Sequence, residues 1–179
     1  YKVGNWQFAA GRDHTNLGAW NTAYHHGTWL QPTIARPRAL RFEDDFGVLP
    51  VHWIGAYATY TKPLTQGSII VNAAVGNGRG EIVDDILTGG DIDDGKAVML
   101  RVEAADVGAN NLRFGVTAIG ESIPAQPATI RPALPDQSIT ELVTTAFVSY
   151  RGEVVTFISE GHLVTHLADG DRWNTFDGF

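Results

Sequence analysis

The sequence predicts an all-β protein with antiparallel strands, and three observations lead to this prediction. Apolar and polar residues alternate with period two along several runs, as they do in strands that present two different faces. Segments rich in Gly, Pro, Asn and Asp separate these runs, and the chain has 20 glycines. Charged residues make up only 18% of the chain, below the roughly one quarter of an ordinary soluble domain.

The clearest alternation lies in two runs on either side of the turn at residues 106–111. One parity is apolar throughout, and the other carries charge. The apolar parity holds Val98, Leu100, Val102 and Ala104, then Leu112, Phe114, Val116 and Ala118. The opposite parity holds Met99, Arg101 and Glu103, then Arg113, Gly115, Thr117 and Glu121. The pattern predicts a β-hairpin whose apolar face contacts either a protein core or lipid.

The whole chain, residues 1–179, is predicted to form one domain or part of one. We predict about eight strands in all, the hairpin supplying two of them. The other six are expected at residues 3–11, 51–61, 68–75, 139–150, 154–166 and 172–179. Residues 12–50 form a long non-periodic segment, expected to be a functional loop that folds into the lumen of a barrel. Residues 81–95 and 122–138 form two further long connections.

Strand length and loop pattern favour a transmembrane barrel. The predicted strands have roughly nine to eleven residues, the length a membrane-spanning strand needs, whereas globular strands average about five to six. Short turns on one rim and long loops on the other are typical of outer-membrane barrels. Aromatic residues near strand ends are interpreted as girdles at the membrane interface: Trp53, Tyr57, Tyr60, Phe147, Tyr150 and Trp173.

Composition and motifs exclude several other classes. The net charge of -7 argues against a nucleic-acid partner, and the absence of cysteine rules out disulfides and thiolate metal sites. No apolar run is long enough for a transmembrane helix. No GxSxG, P-loop or GxGxxG motif is present, so the sequence predicts no enzyme, no catalytic residues and no cofactor. No signal peptide precedes Tyr1, so we expect a processed chain or one that begins within a longer protein.

The run GRDHTNLGAWNTAYHHGTWLQPTIARPRALRFEDDFGVLPVH, at residues 11–52, resembles bacterial outer-membrane porins, in particular relatives of the phosphate-selective porins. The segments GNGRG and DGDRWNTFDGF are similar to the same group. The resemblance implies that the chain is part of a larger barrel of roughly 16 strands. It also implies passive diffusion of small hydrophilic solutes, anions among them, through a homotrimer in the outer-membrane lipid. The lysine cluster of that family has no counterpart among Lys2, Lys62 and Lys96, so phosphate selectivity is not carried over.

Two sets of residues are candidates for solute selection in such a pore. Charged side chains are costly in hydrocarbon, so the polar parity of the hairpin is expected to line the lumen: Arg101, Glu103, Arg113, Thr117 and Glu121. Opposed charges in the long loop are expected to form a constriction: Arg36, Arg38, Arg41, Glu43, Asp44 and Asp45. Ion pairs that pin the loop to the barrel wall are the alternative for the second set.

We predict no metal site. Histidines 14, 25 and 26 lack a metal-binding spacing, and polar packing in a loop is the preferred interpretation of His14, His25 and His26. The acidic run Asp91–Asp94 departs from the EF-hand arrangement and lacks its distal glutamate, so a solvated loop is favoured over a calcium site.

Two alternatives to a channel stay open at this point. One is a soluble β-sandwich that binds carbohydrate through Trp20, Tyr24 and Trp29, which requires the apolar parity of every strand to be buried between two sheets. The other is a barrel with a structural role and no open pore.

Overall fold

The computed structural model describes residues 1–24, 37–41, 49–50, 52–78, 95–125, 127, 129 and 136–179. These residues form nine β-strands, one short α-helix and one 3-10 helix. The strands are β1 (Lys2–Val3), β2 (Trp6–His14), β3 (His52–Pro63), β4 (Ser68–Asn77), β5 (Lys96–Ala105), β6 (Leu112–Ile123), β7 (Ile139–Arg151), β8 (Thr156–Ala168) and β9 (Asp171–Gly178). Helix α1 covers Trp20–Tyr24, and the 3-10 helix covers Arg38–Leu40.

All nine strands belong to one antiparallel sheet in which each strand pairs with its neighbours in sequence, from β1 to β9. The prediction of an all-β antiparallel fold is therefore confirmed. The sheet is open: in the part of the chain that the structure describes, β1 and β9 are its two edges, and it does not close into a barrel. Strands β3 to β8 have 12, 10, 10, 12, 13 and 13 residues, about twice the globular average.

The predicted boundaries need correction at the start of the chain. The strand expected at residues 3–11 is two strands, because Gly4 adopts a left-handed backbone with φ 53° and turns the chain so that Val3 pairs with Trp6. Strand β2 then continues to His14, so the loop expected at residues 12–50 begins after His14. This loop also contains α1 and the 3-10 helix, which its sequence did not predict.

Short and long connections lie at opposite ends of the strands. The turns 64–67, 106–111 and 152–155 lie at one of these two ends, which we call the short-turn edge. At the opposite ends of the strands, the chain leaves β2, β4 and β6 and returns to β3, β5 and β7, and one tight turn joins β8 to β9. In that turn Asp169 and Gly170 both adopt left-handed conformations, with φ 47° and 88°, as a two-residue hairpin loop with a type I′ turn requires.

The two faces of the sheet have different surroundings. The described parts of the long loop, residues 15–24, 37–41 and 49–50, pack on one face; we call these segments the inner layer and this face the inner face. The core lies between them. The inner layer contributes Leu17, Trp20, Tyr24, Ala39, Leu40 and Leu49, and the strands contribute Trp53, Tyr57, Ala74, Ala97, Met99, Ile119, Val143 and Val164.

The opposite, outer face is apolar and exposed. Val98, Leu100 and Val116 are 59%, 53% and 54% exposed, although they lie in strands that pair with a neighbour on both sides. No described helix has the length and hydrophobicity needed to cross a membrane.

Some of the aromatic residues that the sequence assigns to membrane-interface girdles lie on the inner face, which does not contact lipid in a barrel. Trp53, Tyr57 and Phe147 point to the inner face and are buried, because their parity matches that of the core. Trp173 also has the inner parity but is exposed. On the outer face, aromatic side chains do gather toward the short-turn edge: Trp6, Tyr60, Phe114, Tyr150 and Phe157. Trp6 and Tyr60 are in contact there, with ring centroids 4.9 Å apart.

Candidate functional site

Charge is divided between the two faces of the sheet. The strand registers place every Asp and Glu of strands β2–β9 on the inner face: Asp13, Glu103, Glu121, Glu141, Glu160, Asp171 and Asp177. The charged side chains with the outer parity are all basic and lie toward strand ends: Arg12, Lys62, Lys96 and Arg172. The inner face is therefore the face on which polar chemistry is concentrated.

The centre of the inner face holds two arginines that share one carboxylate. Arg101 donates from Nε and Nη2 to Oε2 of Glu103, at 3.1 and 2.5 Å. Arg113 donates from Nε to the other oxygen, Oε1, at 2.6 Å. Arg101 and Glu103 are buried, whereas half of the Arg113 side chain is exposed. The cluster carries one net positive charge, and the ring of Phe147 lies 4.4 Å from the Arg101 guanidinium carbon.

The third nitrogen of Arg101 binds the inner layer. Its Nη1 donates to the carbonyl oxygens of Asn16 and Gly18, at 2.9 and 2.6 Å. Thr117, on the neighbouring strand, donates its hydroxyl to the same Asn16 oxygen at 3.0 Å. Strands β5 and β6 thus hold the start of the loop through its backbone.

Glu160 binds the next residues of the loop from β8, three strands away from Arg101 on the same inner face. Its Oε1 accepts hydrogen bonds from the backbone N–H groups of Ala19 and Trp20, at 2.6 and 2.5 Å. These are N–H groups at the start of α1, which have no partner within the helix. The carboxyl group is fully buried, and this burial raises the pKa of Glu160, while the two N–H groups and Arg101 oppose the shift. An arginine on β5 and a buried carboxyl group on β8 thus hold the loop from two sides.

Gly18 makes this arrangement sterically feasible. It has φ 63°, a left-handed conformation that favours glycine. A Cβ atom at this position would lie 2.0 Å from Oε2 of Glu160. Any side chain at residue 18 would therefore require the loop or the Glu160 side chain to move, which would separate the two. We call the set Asn16, Gly18, Ala19, Trp20, Arg101 and Glu160 the loop anchor.

Further polar contacts fix the loop along its first turn. Asn16 donates to the side-chain oxygen of Asn72 at 3.0 Å, and Asn72 donates to Thr59 at 2.7 Å. The Thr15 hydroxyl binds the carbonyl of Pro50, and Asn21 binds the carbonyl of Thr15 at 2.9 Å. Because these partners lie on β3, β4 and both ends of the loop, the inner layer is attached across much of the sheet.

Two histidines on the inner face also contact buried polar groups. His162 is buried, with Nδ1 2.9 Å from the Thr145 hydroxyl and Nε2 3.6 Å from Oε2 of Glu160. His166 lies 2.5 Å from a Glu141 oxygen and is partly exposed. Within the described ranges, no group of three or more His, Cys, Asp or Glu side chains could hold a metal ion.

The five residues expected to line a lumen all lie on the inner face, and four of them are buried: Arg101, Glu103, Thr117 and Glu121. Arg101 and Thr117 contact the loop and not open space, so their role as pore-lining residues stays a prediction. Of the expected constriction, Arg38 and Arg41 are exposed at the 3-10 helix. The remaining members, Arg36, Glu43, Asp44 and Asp45, lie outside the described residues.

Other candidate residues can be located in the same way. His14 lies at the end of β2, where its ring faces His52 at 4.7 Å. His25, His26 and Asp91–Asp94 lie outside the described residues. Trp20 and Tyr24 are buried in the core, so neither offers a free ring face to a sugar; Trp29 is outside the described residues. The outer face is not covered by a second sheet in the described residues, contrary to what the sandwich alternative requires.

Sequence reasoning missed Glu141 and Glu160 as members of the inner face. Their strands carry the same signal as the hairpin, because Glu141, Val143 and Thr145 alternate with Leu142 and Thr144. The same alternation with period two in β7 is therefore the signal that assigns Glu141 to the polar face. Comparisons with protein-family models, with curated proteins and with solved structures gave no match.

Proposed function

We propose that the chain forms the wall of an antiparallel β-barrel in the outer membrane of a Gram-negative bacterium, where it serves as a channel. The outer face then contacts lipid, and the inner face borders an aqueous lumen. Small hydrophilic solutes, including anions, diffuse passively through that lumen. The described sheet is one arc of the barrel, completed by further strands to a porin-sized, roughly 16-stranded wall, and the barrels associate as trimers.

One observation carries this proposal. Across strands β3 to β8, the outer face carries two charged side chains, Lys62 and Lys96, each at or next to a strand end. The inner face of the same strands carries seven: Arg101, Glu103, Arg113, Glu121, Glu141, Arg151 and Glu160. A soluble protein rarely exposes so continuous an apolar surface. A transmembrane barrel requires it, because a charge on the lipid side costs about 2–4 kcal/mol at the midplane.

Three further features support the same orientation. Strands of 10 to 13 residues are long enough to cross the hydrocarbon core when tilted. The outer aromatic residues at the short-turn edge suit the membrane interface. Lys62 and Lys96, the two outer charges of β3–β8, lie at strand ends, where a long side chain can reach the headgroups.

In this function the inner layer acts as the constriction. A loop that folds against the inner wall narrows the lumen, and the loop anchor holds it there. Selection then depends on the width left beside the loop and on the charges that face it, as in other channels.

The extent of burial on the inner face favours a second candidate function. Four of the five expected pore-lining residues are covered, which would also suit a barrel whose lumen is filled and whose role is structural. Reconstitution of the purified chain in a planar lipid bilayer separates the two: discrete conductance steps support the channel, and an inserted chain without conductance supports the structural barrel. A chain that is soluble and monodisperse without detergent would overturn both.

A further inference from the structure

A cleft opens between helix α1 and the inner face at the short-turn edge. Its volume is about 470 Å³, within the roughly 300–1,000 Å³ of small-molecule sites. Inner-face residues of strands β4 to β8 form one wall, and Ala19, Ala23 and Tyr24 form the other. The cleft lies beside the loop anchor, and the hydrogen bonds that Arg101 and Glu160 make to the loop are not among those of its lining side chains.

Two guanidinium groups face this cleft: those of Arg113 and Arg151. Arg113 pairs with Ser149 across the two strands, so Arg151, two residues further along β7, is its diagonal neighbour. Diagonal neighbours on one face are about 7–8 Å apart, close enough for two long side chains to reach the same ligand.

Both arginines keep N–H donors that have no partner in the described part of the chain. Arg113 uses Nε and Nη2 on Glu103, which leaves Nη1. Arg151 donates only from Nη2, to the hydroxyl of Tyr24 at 3.0 Å, and its guanidinium lies 5.8 Å from the Tyr24 ring. No carboxylate among the described residues forms an ion pair with Arg151, so its charge is not neutralised by a direct partner.

The charge balance at the cleft favours a ligand with a single negative charge. Arg101 and Arg113 share Glu103, which leaves one positive charge, and Arg151 adds a second. Asp106 is the acid among the lining residues, and its Oδ1 accepts the Asn111 N–H at 2.6 Å. The lining therefore has one net positive charge, and it is surrounded by hydroxyl groups of Ser68, Ser149 and Thr156.

We infer that this cleft is a binding subsite for small hydroxylated carboxylates. The guanidinium groups of Arg113 and Arg151 bind the carboxylate, since arginine presents paired N–H donors to planar oxyanions. The serine and threonine hydroxyls and Asp106 bind the ligand's hydroxyl groups. A role for this subsite in solute passage rests on the proposed channel function, because the cleft opens into a lumen only if the chain forms a channel.

The test is a binding titration of the whole chain in detergent micelles with gluconate, followed by changes in the NMR signals or the fluorescence of the protein. Glucose, which lacks the carboxylate, and inorganic phosphate, which lacks the hydroxylated body, are the comparison ligands. We expect saturable binding of gluconate that is at least about tenfold tighter than that of glucose, because glucose cannot form the charge-assisted pair. Gluconate should also bind more tightly than phosphate, because phosphate lacks the hydroxyl groups that the serine and threonine side chains bind.

The variant Arg151→Gln keeps a donor for Tyr24 and removes the charge, and we expect it to weaken gluconate binding about tenfold or more. The matched control is Arg172→Gln on β9, which removes the same charge from the outer parity and should leave binding unchanged. Equal effects of the two variants, equal affinity for glucose, or absence of saturable gluconate binding would overturn the subsite. Gluconate binding and conductance are measured separately, so the two proposals can fail independently. A chain that conducts but does not bind gluconate refutes the subsite alone. A chain that does not conduct but binds gluconate through Arg151 refutes the channel alone.

Discussion

Replacement of Arg101 by methionine should release the inner layer from the sheet. Methionine keeps an apolar stem beside Phe147 and removes the guanidinium, which is 5% exposed and donates to the carbonyls of Asn16 and Gly18. Each charge-assisted hydrogen bond contributes about 1.5–3 kcal/mol. Water can replace part of what is lost, so we expect the docked loop to be destabilised by about 3 kcal/mol.

Amide hydrogen exchange measures this loss directly. The N–H groups of Ala19 and Trp20 are bonded to Glu160, and that of Ala23 is bonded to Ala19. They are protected only while the loop is docked. A loss of about 3 kcal/mol corresponds to exchange that is about a hundredfold faster at these three sites. Amides at the centre of β7 should be unaffected, because they are bonded within the sheet.

The matched control is Arg113→Met. Arg113 binds the same carboxylate, Glu103, but it is half exposed and makes no hydrogen bond or ion pair with the described segments of the loop. An ion pair with one exposed partner is worth about 1 kcal/mol or less, so we expect less than about a fivefold change in exchange. If the two variants accelerate exchange equally, or if neither does, Arg101 does not hold the loop and the anchor is wrong. In the bilayer, Arg101→Met should also widen the channel and raise its conductance.

Three other predictions follow from the anchor and from the outer face. Gly18→Ala places a Cβ atom 2.0 Å from the Glu160 carboxylate at a left-handed φ, so it should increase exchange at the start of α1 as strongly as loss of the carboxylate does. Glu160→Gln keeps the shape and replaces the carboxyl group by an amide, a weaker acceptor for the two N–H groups, which should cost about 1–2 kcal/mol and give about a tenfold increase in exchange at the same amides. Leu100→Arg should make the free energy of insertion into lipid vesicles less favourable by about 2–4 kcal/mol, and the inserted fraction is measured by heat-modified gel mobility. Val154→Arg, in a turn and 95% exposed, should insert normally. Equal insertion of these two variants would contradict a lipid-facing Leu100.

The antiparallel sheet could be predicted from the sequence because its signal is local. Val98, Leu100 and Val102 alternate with Met99 and Arg101, and the structure pairs this run with residues 113–120 in the register that keeps the two parities on separate faces. A shift by one residue would move every apolar side chain to the other face, so the pattern defines the register. Strand ends were less well predicted, because they depend on single turn residues such as Gly4.

The loop anchor could not be predicted, because its members are far apart in sequence and have no motif. Ala19 and Glu160 are separated by 141 residues, and the bond between them is to a backbone N–H group that any residue carries. Gly18 was one glycine among 20, and only its contact with Glu160 distinguishes it. Arg101 could be assigned to the polar face from its parity, but the alternation does not indicate what covers that face.

The lipid contact of the outer face can be tested most directly by single-cysteine labelling, since the chain has no cysteine of its own. Val116→Cys places a thiol on the outer face at a position that is 54% exposed, and Ser149→Cys places one on the inner face beside the cleft. Each variant is reconstituted in vesicles and labelled with a fluorophore. We predict that nitroxide-labelled lipids quench the fluorophore at residue 116 and that a water-soluble quencher reaches only the one at residue 149. Quenching of residue 116 from water, with no effect of the labelled lipid, would contradict the account.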